Sequence, residues 1–458
     1  MSFGKFFLPM ATEASLIWLK TYVSDGDSAQ ALYLNEKQLS FFGLAPGKKI
    51  ILQIGSIKKT VALKKQTIDA TENIFYLSKK LFKYFPFSFE QPLLLYFYQK
   101  NIICLGPSVG ITIKKRKLKD VKKKSILVKR SLLAKKYGIL FYYFNLEDVN
   151  WQQNLVRAFQ LNHDGTKWLE APVPVPQVIY DLGSYPKPET VKSFTKRGSV
   201  SSLLWLNKTR TISKYKAYLA LKSSQQTKLS VPETAPLNGT TLANYLEKYD
   251  FCYLKPNFGR NGRHVYRIQK SKKGFICQAG GSKVKSYIFP EIKDVLRFIK
   301  NKQKNFIIQQ GITLSRLGNR PFDMRVLMQK HSNQNWLLSA VNFRIARPEA
   351  VVTNFAQGAS DKLVLPGEKL LHDALTWEEL NRFCLNVILV IDKFFGPLGE
   401  IGLDVALDHK GKLWLLEVNT RPSSIAYRNA DDATCEKIFG APFKYAISLL
   451  RRNLNANF

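Results

Sequence analysis

The feature that most constrains this chain is a pair of short apolar segments near its end, within residues 399–422. An Asp-His-Lys-Gly turn signal separates them, so the pattern predicts a β-hairpin. Asp404, Glu417 and Asn419 interrupt the apolar pattern, and the last two, being two positions apart, share one face of a strand. Oxygen-bearing side chains on an apolar hairpin are costly to bury unless a cation neutralises them. Mg²⁺ prefers hard oxygen ligands and fits this donor set.

The size and composition of the chain indicate a folded protein of several domains. Its 458 residues predict two or three domains, and 45% hydrophobic residues are enough for a substantial core. No apolar run reaches the length of a membrane-spanning helix, and the N-terminus lacks the features of a secretory signal. Five scattered cysteines without paired spacing predict reduced thiols in a cytoplasmic protein, and no structural zinc.

The charge of the chain is strongly positive. Seventy Lys and Arg residues against 34 Asp and Glu give a net charge of +36, which attracts acidic surfaces or polymers. The densest run, residues 114–136, is either a solvated, partly helical surface segment or a docking patch for an anionic partner. Nucleic acid is the less favoured partner, because the sequence has no zinc-finger spacing, no RNA-binding signature and no recognition helix.

Strand and helix patterns predict an α+β (α/β) fold in three parts. Residues 1–110 carry short alternating runs between Gly, Pro and Asn signals, which predicts a β-rich N-terminal domain. Residues 111–200 hold the basic run and a βαβ-like unit, in which the spacing of residues 151–161 predicts a helix between two strands. Residues 201–458 alternate helical and strand patterns and form the third predicted domain.

A strand that ends in a lysine and a glycine-containing loop indicates phosphate binding. The strand at residues 251–256 carries Lys255, whose ammonium group can reach phosphate oxygens. Gly259 and Gly262 in the following loop allow the backbone to approach a phosphate closely. Many loops of this kind are plain hairpins, and the lysine together with the acidic hairpin downstream favours the functional interpretation.

Two further segments extend this pattern. Lys214 lies in the first turn of a predicted helix, where the helix dipole disfavours a cation, so a nearby anion would explain its position. Taken alone, Lys214 is an ordinary surface lysine. Residues 305–312 form a strand that leads into a glycine break, and such a connection can present a backbone donor and acceptor to an adenine edge.

Charged residues also alternate with apolar ones further along the chain. Asp323 and Arg325 project from one face of a predicted strand, and Arg344 follows on another. They either form an ion pair that braces the sheet, or the arginines bind a phosphate or a carboxylate through two parallel hydrogen bonds. Asn354 follows a strand-like run and precedes a glycine, a position suited to a substrate or phosphate contact.

Taken in this order, these residues resemble the ATP-grasp superfamily, and in particular its endospore coat-associated YheC/YheD-like group. Three sequence blocks, at residues 105–111, 174–180 and 320–325, look like blocks of that group, so the resemblance extends over most of the chain. The chain departs from the group's pattern at Arg260, where small residues are commoner, and at Gln177, where the group has Asp. No metal ligand is lost by these departures.

The resemblance implies an ATP-grasp fold in the C-terminal part, with ATP and Mg²⁺ as cofactors. It implies three sets of site residues: Lys214, Lys255, Gly259, Gly262, Gln309, Gln310, Gly311 and Ile312 for ATP; Asp404, Glu417 and Asn419 for the metal; and Arg325, Arg344 and Asn354 for the reacting groups.

The leading hypothesis is an ATP-dependent carboxylate–amine (or thiol) ligase that forms an acyl phosphate. With a net charge of +36, an acidic peptide or protein is an attractive substrate. The alternative is a non-catalytic nucleotide-binding or coat-assembly scaffold that binds acidic partners, such as spore-coat proteins, through its basic surface. Nucleic-acid binding ranks third. By this resemblance the protein is expected to be cytoplasmic and associated with the spore or its coat.

Overall fold

The structure, a computed structural model, describes residues 16–22, 29–66, 73–85, 91–99, 101–114, 125–162, 164–183, 203–259, 264–279, 284–300, 305–347, 360–427 and 430–456. The chain divides into two compact units. Unit 1 is bounded by Met1–Leu206, Ser332–Gln334 and Asp431–Phe458, and unit 2 by Asn207–His331 and Asn335–Ala430. The three sequence ranges proposed above as domains stay a prediction.

Seven strands and two short helices open unit 1: β1 (Leu16–Tyr22), β2 (Ala31–Leu34), α1 (Glu36–Phe42), β3 (Lys49–Ile54), β4 (Ile57–Lys65), β5 (Ile74–Ser78), α2 (Lys79–Phe82), β6 (Leu93–Gln99) and β7 (Ile102–Leu105). The strands close into a barrel in the order β1-β5-β2-β4-β3-β7-β6. Alternate residues of β3, Ile50, Leu52 and Ile54, are buried inside it. The β-rich character predicted for the N-terminal region is confirmed.

A mixed sheet follows in unit 1, built from β8 (Ser108–Thr112), α3 (Ser125–Lys136), β9 (Leu140–Asn150), β10 (Leu155–Leu161), β11 (Trp168–Pro174), β12 (Val178–Asp181) and β13 (Leu204–Trp205). The strand order is β11-β10-β9-β8-β12-β13. Strands β8 and β9 are parallel and are joined through α3, so the unit contains the predicted βαβ-like element.

The helix predicted for residues 151–161 is wrong. Residues 155–161 form β10, which pairs antiparallel with β9. Asn154 in the connecting turn has φ 55°, which breaks any helix there. Along β10, Val156, Ala158 and Gln160 are buried, which is the period of two expected of a strand. The helix of the βαβ element lies instead in the basic run.

Unit 2 begins with a sheet of six antiparallel strands and three helices: α4 (Lys214–Lys222), β14 (Thr234–Pro236), α5 (Gly239–Lys248), β15 (Cys252–Pro256), β16 (Tyr266–Ser271), β17 (Gly274–Ala279), β18 (Lys285–Phe289), α6 (Ile292–Lys300) and β19 (Phe306–Gln310). The order is β14-β19-β15-β16-β17-β18. Leu254, Ile268 and Ile308 of the sheet pack with Leu242 and Val295 of α5 and α6 in one buried core. We call this the first sheet.

The second sheet of unit 2 is also antiparallel, and consists of β20 (Arg316–Leu317), β21 (Arg320–Lys330), β22 (Trp336–Ile345), β23 (Ser360–Val364), β24 (Glu400–Leu407) and β25 (Leu413–Asn419), with α7 (Trp377–Phe395) packed against it. The order is β23-β22-β21-β24-β25, and β20 pairs with β21. Strands β24 and β25 pair antiparallel, so the predicted hairpin is confirmed. Met324 and Val326 of β21 are fully buried against α7.

The chain ends with the long helix α8 (Asp432–Ala456), which packs against α3 in unit 1. Two ion pairs join these helices, Lys129–Asp432 at 3.2 Å and Lys136–Glu436 at 2.9 Å. All five cysteines are buried thiols. Among the described residues, none of the helices is both long and apolar enough to span a membrane.

Candidate functional site

One face of the second sheet carries charges on three neighbouring strands. Asp323 of β21 lies directly across from Arg344 of β22, and Arg325 of β21 lies across from Asp404 of β24. Because side chains alternate along β21, Met324 points into the apolar core while its two charged neighbours share the opposite face. The alternation read from the sequence is therefore confirmed.

These four side chains form a continuous network of ion pairs. Arg344 Nε and Nη2 donate to the two carboxylate oxygens of Asp323, each at 2.6 Å, and Nη2 also lies 3.2 Å from Asp404 Oδ2. Arg325 Nε donates to Asp404 Oδ1, and its Nη2 donates to Oδ2 at 3.0 Å. Asp323, Arg344 and Asp404 are all buried, so each charge is stabilised by bidentate contacts with an opposite charge.

The pKa values of the network follow from this arrangement. Burial tends to raise the pKa of Asp404, but the guanidinium groups of Arg325 and Arg344 outweigh it, so that pKa is lowered. Burial tends to lower the pKa of Arg344, but the carboxylates of Asp323 and Asp404 outweigh it, so that pKa is raised. The carboxylate of Asp404 is therefore ionised at neutral pH, as a metal ligand must be.

Lys214 lies at the first position of α4, with Ser213 as the N-cap whose side chain accepts a hydrogen bond from Lys216 N. Its Nζ is 3.4 Å from Glu417 Oε1 and 3.5 Å from Gly259 O. The predicted anion beside this lysine is therefore Glu417. Asn257 connects the same helix end to the loop after β15, because its Oδ1 accepts hydrogen bonds from Ser213 Oγ and from the backbone N–H of Tyr215, the second residue of the helix.

Lys255 of the first sheet lies within the electrostatic field of the second. Its Nζ donates to Gln309 Oε1 at 2.6 Å. Burial lowers the pKa of Lys255 to about 8, and the positive charge of Lys214 acts in the same direction. The carboxylates of Glu417, Asp404 and Asp323 oppose this shift. Within unit 2, the cationic Lys255 of the first sheet thus interacts electrostatically with carboxylates of the second sheet.

The segment predicted to read an adenine edge, Gln309 to Ile312, begins in the last two residues of β19. The backbone N–H of Gln310 donates to Glu233 O at 2.8 Å, and that of Gly311 donates to Phe251 O at 3.0 Å. A Cβ at residue 311 would lie 2.3 Å from the Phe251 ring, which explains the glycine there. In the described part of the chain, the backbone N–H of Ile312 has no hydrogen-bond partner, so it is available to a ligand.

Two predicted site residues, Gly262 and Asn354, lie outside the described residues, as does Arg260. Gly259 is described, and its carbonyl oxygen accepts a hydrogen bond from Lys214. A Cβ there would make only an ordinary contact with Pro256, so space alone does not require glycine at this position.

The three predicted metal ligands lie on adjacent strands. Asp404 pairs with Glu417 and Gly402 pairs with Asn419, with a register shift immediately after Asp404. The Nδ2 atom of Asn419 is buried and has no hydrogen-bond partner among the described residues. Two carboxylates and an amide oxygen are hard oxygen donors that fit Mg²⁺, which binds proteins through one or two carboxylates and keeps its other positions for water and phosphate.

Sequence reasoning missed two polar residues of this region. Asn342 lies across from Arg325 on β22 and is buried, with its Oδ1 unpaired among the described residues. Its spacing of two from Arg344 could have revealed it, because both then share the charged face. Thr234 is bonded to Gln309 at 3.2 Å, and no local sequence signal indicates that contact.

The chain that carries this charged face belongs to a known family of proteins. Residues 202–449 match the family model described as YheC/D-like ATP-grasp, and the chain therefore belongs to this family.

Two curated relatives come from Bacillus subtilis strain 168. The endospore coat-associated protein YheD is 25% identical over 344 residues, which covers 70% of this chain and 74% of the relative. The endospore coat-associated protein YheC is 23% identical over 326 residues, which covers 68% of this chain and 88% of the relative.

Solved structures show more distant similarity. The ATP-grasp ligase PsnB, in complex with minimal precursor, Mg and ADP, is 13% identical with a TM-score of 0.42, over 74% of this chain and 98% of that chain. N5-carboxyaminoimidazole synthetase from Staphylococcus aureus is 11% identical with a TM-score of 0.44, over 75% of this chain and 77% of that chain. Nothing about the chemistry of this chain follows from these two similarities.

Proposed function

We propose that the protein is an ATP- and Mg²⁺-dependent carboxylate–amine ligase that works through an acyl phosphate. Membership of the ATP-grasp family is consistent with ATP-dependent ligase activity in general. The observation that carries the finer proposal is the meeting of Lys214 and Lys255 with Glu417, Asp404 and Asp323 in unit 2. Paired cations of this kind suit nucleotide phosphates, and the carboxylates beside them suit the metal that accompanies those phosphates.

In the proposed reaction, a substrate carboxylate oxygen attacks the γ-phosphorus of ATP, and ADP leaves. An amine then attacks the carbonyl carbon of the acyl phosphate, an amide bond forms, and inorganic phosphate leaves. Lys214 and Lys255 hold the phosphates of ATP in place. Bound Mg²⁺, held by Asp404, Glu417 and Asn419, would neutralise phosphate charge. In this proposal the proton of the amine passes to water or to a group of the substrate.

We propose that Arg325 and Arg344 stabilise charge on the transferred phosphoryl group and the acyl phosphate. In each of them Nε and Nη2 donate to aspartate oxygens, which fixes the plane of the guanidinium group. These bonds do not use Nη1 of either arginine, and we propose that this nitrogen contacts a substrate oxygen. A rigid donor aimed at developing negative charge needs no reorganisation during the reaction. Asn354 would complete this set.

The charge of the whole chain supports an acidic peptide or protein as substrate. A net charge of +36 raises the local concentration of anionic partners and their rate of association. The two curated relatives are both described as endospore coat-associated, and we propose the same association, with spore-coat proteins as partners of a cytoplasmic enzyme.

The variant Glu417→Gln tests the proposed function. We expect it to abolish Mg²⁺-dependent ADP release in the presence of candidate carboxylates, because the amide removes one anionic metal ligand. The fold should survive, since Glu417 is partly exposed and the amide oxygen of a glutamine can still accept a hydrogen bond from Lys214. Glu436→Gln removes a comparable ion pair in unit 1 and is the matched control, with full activity expected. Full activity of Glu417→Gln would rule out the metal site.

A non-catalytic scaffold is the second candidate, and one observation favours it. Both carboxylate oxygens of Asp404 already accept hydrogen bonds from guanidinium groups, so the site is electrostatically satisfied without a metal. ADP release with Mg-ATP and acidic peptides separates the two candidates. A scaffold would bind the peptides and release no ADP, and a ligase would also yield a product of altered mass.

A further inference from the structure

A chain of three hydrogen bonds leads from a backbone carbonyl to the ammonium group of Lys255. Thr234 Oγ1 donates to Pro232 O at 2.9 Å, Gln309 Nε2 donates to Thr234 Oγ1 at 3.2 Å, and Lys255 Nζ donates to Gln309 Oε1 at 2.6 Å. Thr234 and Gln309 are buried, so no solvent competes for these groups. Strand pairing brings these side chains together. Gln309 of β19 lies across from Thr234 of β14 on one side and from Tyr253 of β15 on the other, and Tyr253 is two residues before Lys255.

Donors and acceptors in this series of hydrogen bonds can be assigned in only one consistent way. The carbonyl of Pro232 can only accept, so the single hydroxyl proton of Thr234 is committed to it. The oxygen of that hydroxyl can then only accept from Gln309, which turns the amide nitrogen toward Thr234. The amide oxygen of Gln309 consequently faces Lys255, and it can accept a hydrogen bond from an ammonium group. The hydroxyl of Thr234 therefore sets the orientation of Gln309.

We infer that Thr234 is a positioning residue, which acts through Gln309 to hold the ammonium group of Lys255 on the first sheet, ready for nucleotide phosphates. The inference rests on the proposed function in one respect, that Lys255 binds phosphate. The hydrogen bond from Lys255 to Gln309 competes with the electrostatic attraction of Lys255 to Glu417, Asp404 and Asp323 on the second sheet. Without a fixed amide oxygen, Lys255 moves toward those carboxylates and away from the phosphate position.

The test is the affinity of the full-length protein for ATP, measured by calorimetry. Thr234→Val keeps the shape and removes the hydroxyl, leaving the Gln309 amide free to turn. We expect ATP binding about tenfold weaker, the effect of losing part of one charge-assisted hydrogen bond between Lys255 and phosphate. Thr234→Ser restores the hydroxyl and should restore the affinity. Thr227→Val is the matched control, because buried Thr227 also donates to a backbone carbonyl, Leu221 O at 2.6 Å, and touches none of these residues.

A double-mutant cycle with Lys255→Met separates positioning from general loss of structure. If Thr234 acts through Lys255, adding Thr234→Val to Lys255→Met weakens ATP binding no further. Equal losses in both backgrounds, or wild-type affinity in Thr234→Val, would overturn the inference. A wild-type protein that binds no ATP would instead overturn the proposed function, so the two failures are distinguishable.

Discussion

At the scale of single residues, the site is a set of charges that neutralise one another. Most of its charges contact a charge of opposite sign: Asp323 with Arg344, Asp404 with both arginines, and Glu417 with Lys214. Lys255 instead donates to the amide oxygen of Gln309. Removing one member leaves its partner buried without compensation, which costs more than the pair contributed. A bound nucleotide would exchange some of these internal pairs for pairs with phosphate.

Lys255 leads to a prediction about pH. Burial lowers its pKa to about 8, so the side chain is cationic below pH 8 and loses its proton above it. Phosphate oxygens favour the cationic form, and ATP affinity should therefore be high below pH 8 and fall as pH rises through it. Calorimetric titrations with ATP over a pH series around this value measure the midpoint.

Lys255→Arg is the control for that midpoint. A guanidinium group stays charged throughout this pH range, so its pH dependence near 8 should disappear even where its affinity is lower. If ATP affinity fell with the same midpoint pH in both proteins, the pH effect would belong to another group.

At the scale of secondary-structure elements, alternation along strands separates the core from the site. Odd and even residues of β21 lie on opposite faces, so one strand supplies Met324 and Val326 to the core and two charged residues to the charged face of the second sheet. This period of two is local, and the sequence predicted it correctly. In residues 155–161 the same period of two is present, but the sequence was interpreted there as a helix, and a tight turn at Asn154 and pairing with β9 make the segment a strand.

The packing of β24 beside β21 leads to a prediction. A Cβ at Gly402 would lie 2.9 Å from Arg325 Cδ and 3.3 Å from Pro422 Cβ. Gly402→Ala should therefore displace Arg325 from Asp404 and lower the rate of ADP release at least about tenfold, because a misaligned charge-stabilising donor typically costs that much or more. Thermal unfolding measured alongside shows whether the protein remains folded.

Gly239→Ala is the matched substitution for that experiment. Its Cβ would lie 3.7 Å from Leu296 Cδ1, an ordinary contact at the start of α5, and activity should be unchanged. An active Gly402→Ala protein would show that Arg325 can be displaced without loss, and that its role in the reaction is minor.

At the scale of the whole molecule, the basic run at residues 114–136 makes tertiary contacts that the sequence did not predict. Among its described residues, Lys129 and Lys136 pair with Asp432 and Glu436 of α8, and Arg130 is buried with its guanidinium group 4.5 Å from the centre of the Phe439 ring. This part of the run is engaged within unit 1, which favours its interpretation as a structural segment over a docking patch. The partners are about three hundred residues away, and no local pattern predicts them.

The net charge of +36 nevertheless predicts long-range attraction. Binding of poly-glutamate should weaken steeply as salt rises from low to physiological concentration, because exposed charges are screened within about 8 Å at physiological ionic strength. Glu417→Gln should leave this binding unchanged, because the attraction does not depend on the site. Fluorescence anisotropy with labelled polymer measures it, and an affinity indifferent to salt would exclude an electrostatic docking surface.

The sequence by itself determined the hairpin of β24 and β25, the strand that carries Asp323 and Arg325, and the helix that begins at Lys214. These depend on alternation, turns and caps, which act between neighbours in the chain. Only the tertiary structure decided that Lys214 pairs with Glu417, that Asp404 is bonded by two arginines, and that Thr234 orients Gln309 toward Lys255. Those contacts join residues far apart in sequence, and they form because buried polar groups must find partners wherever the packed sheets bring them together.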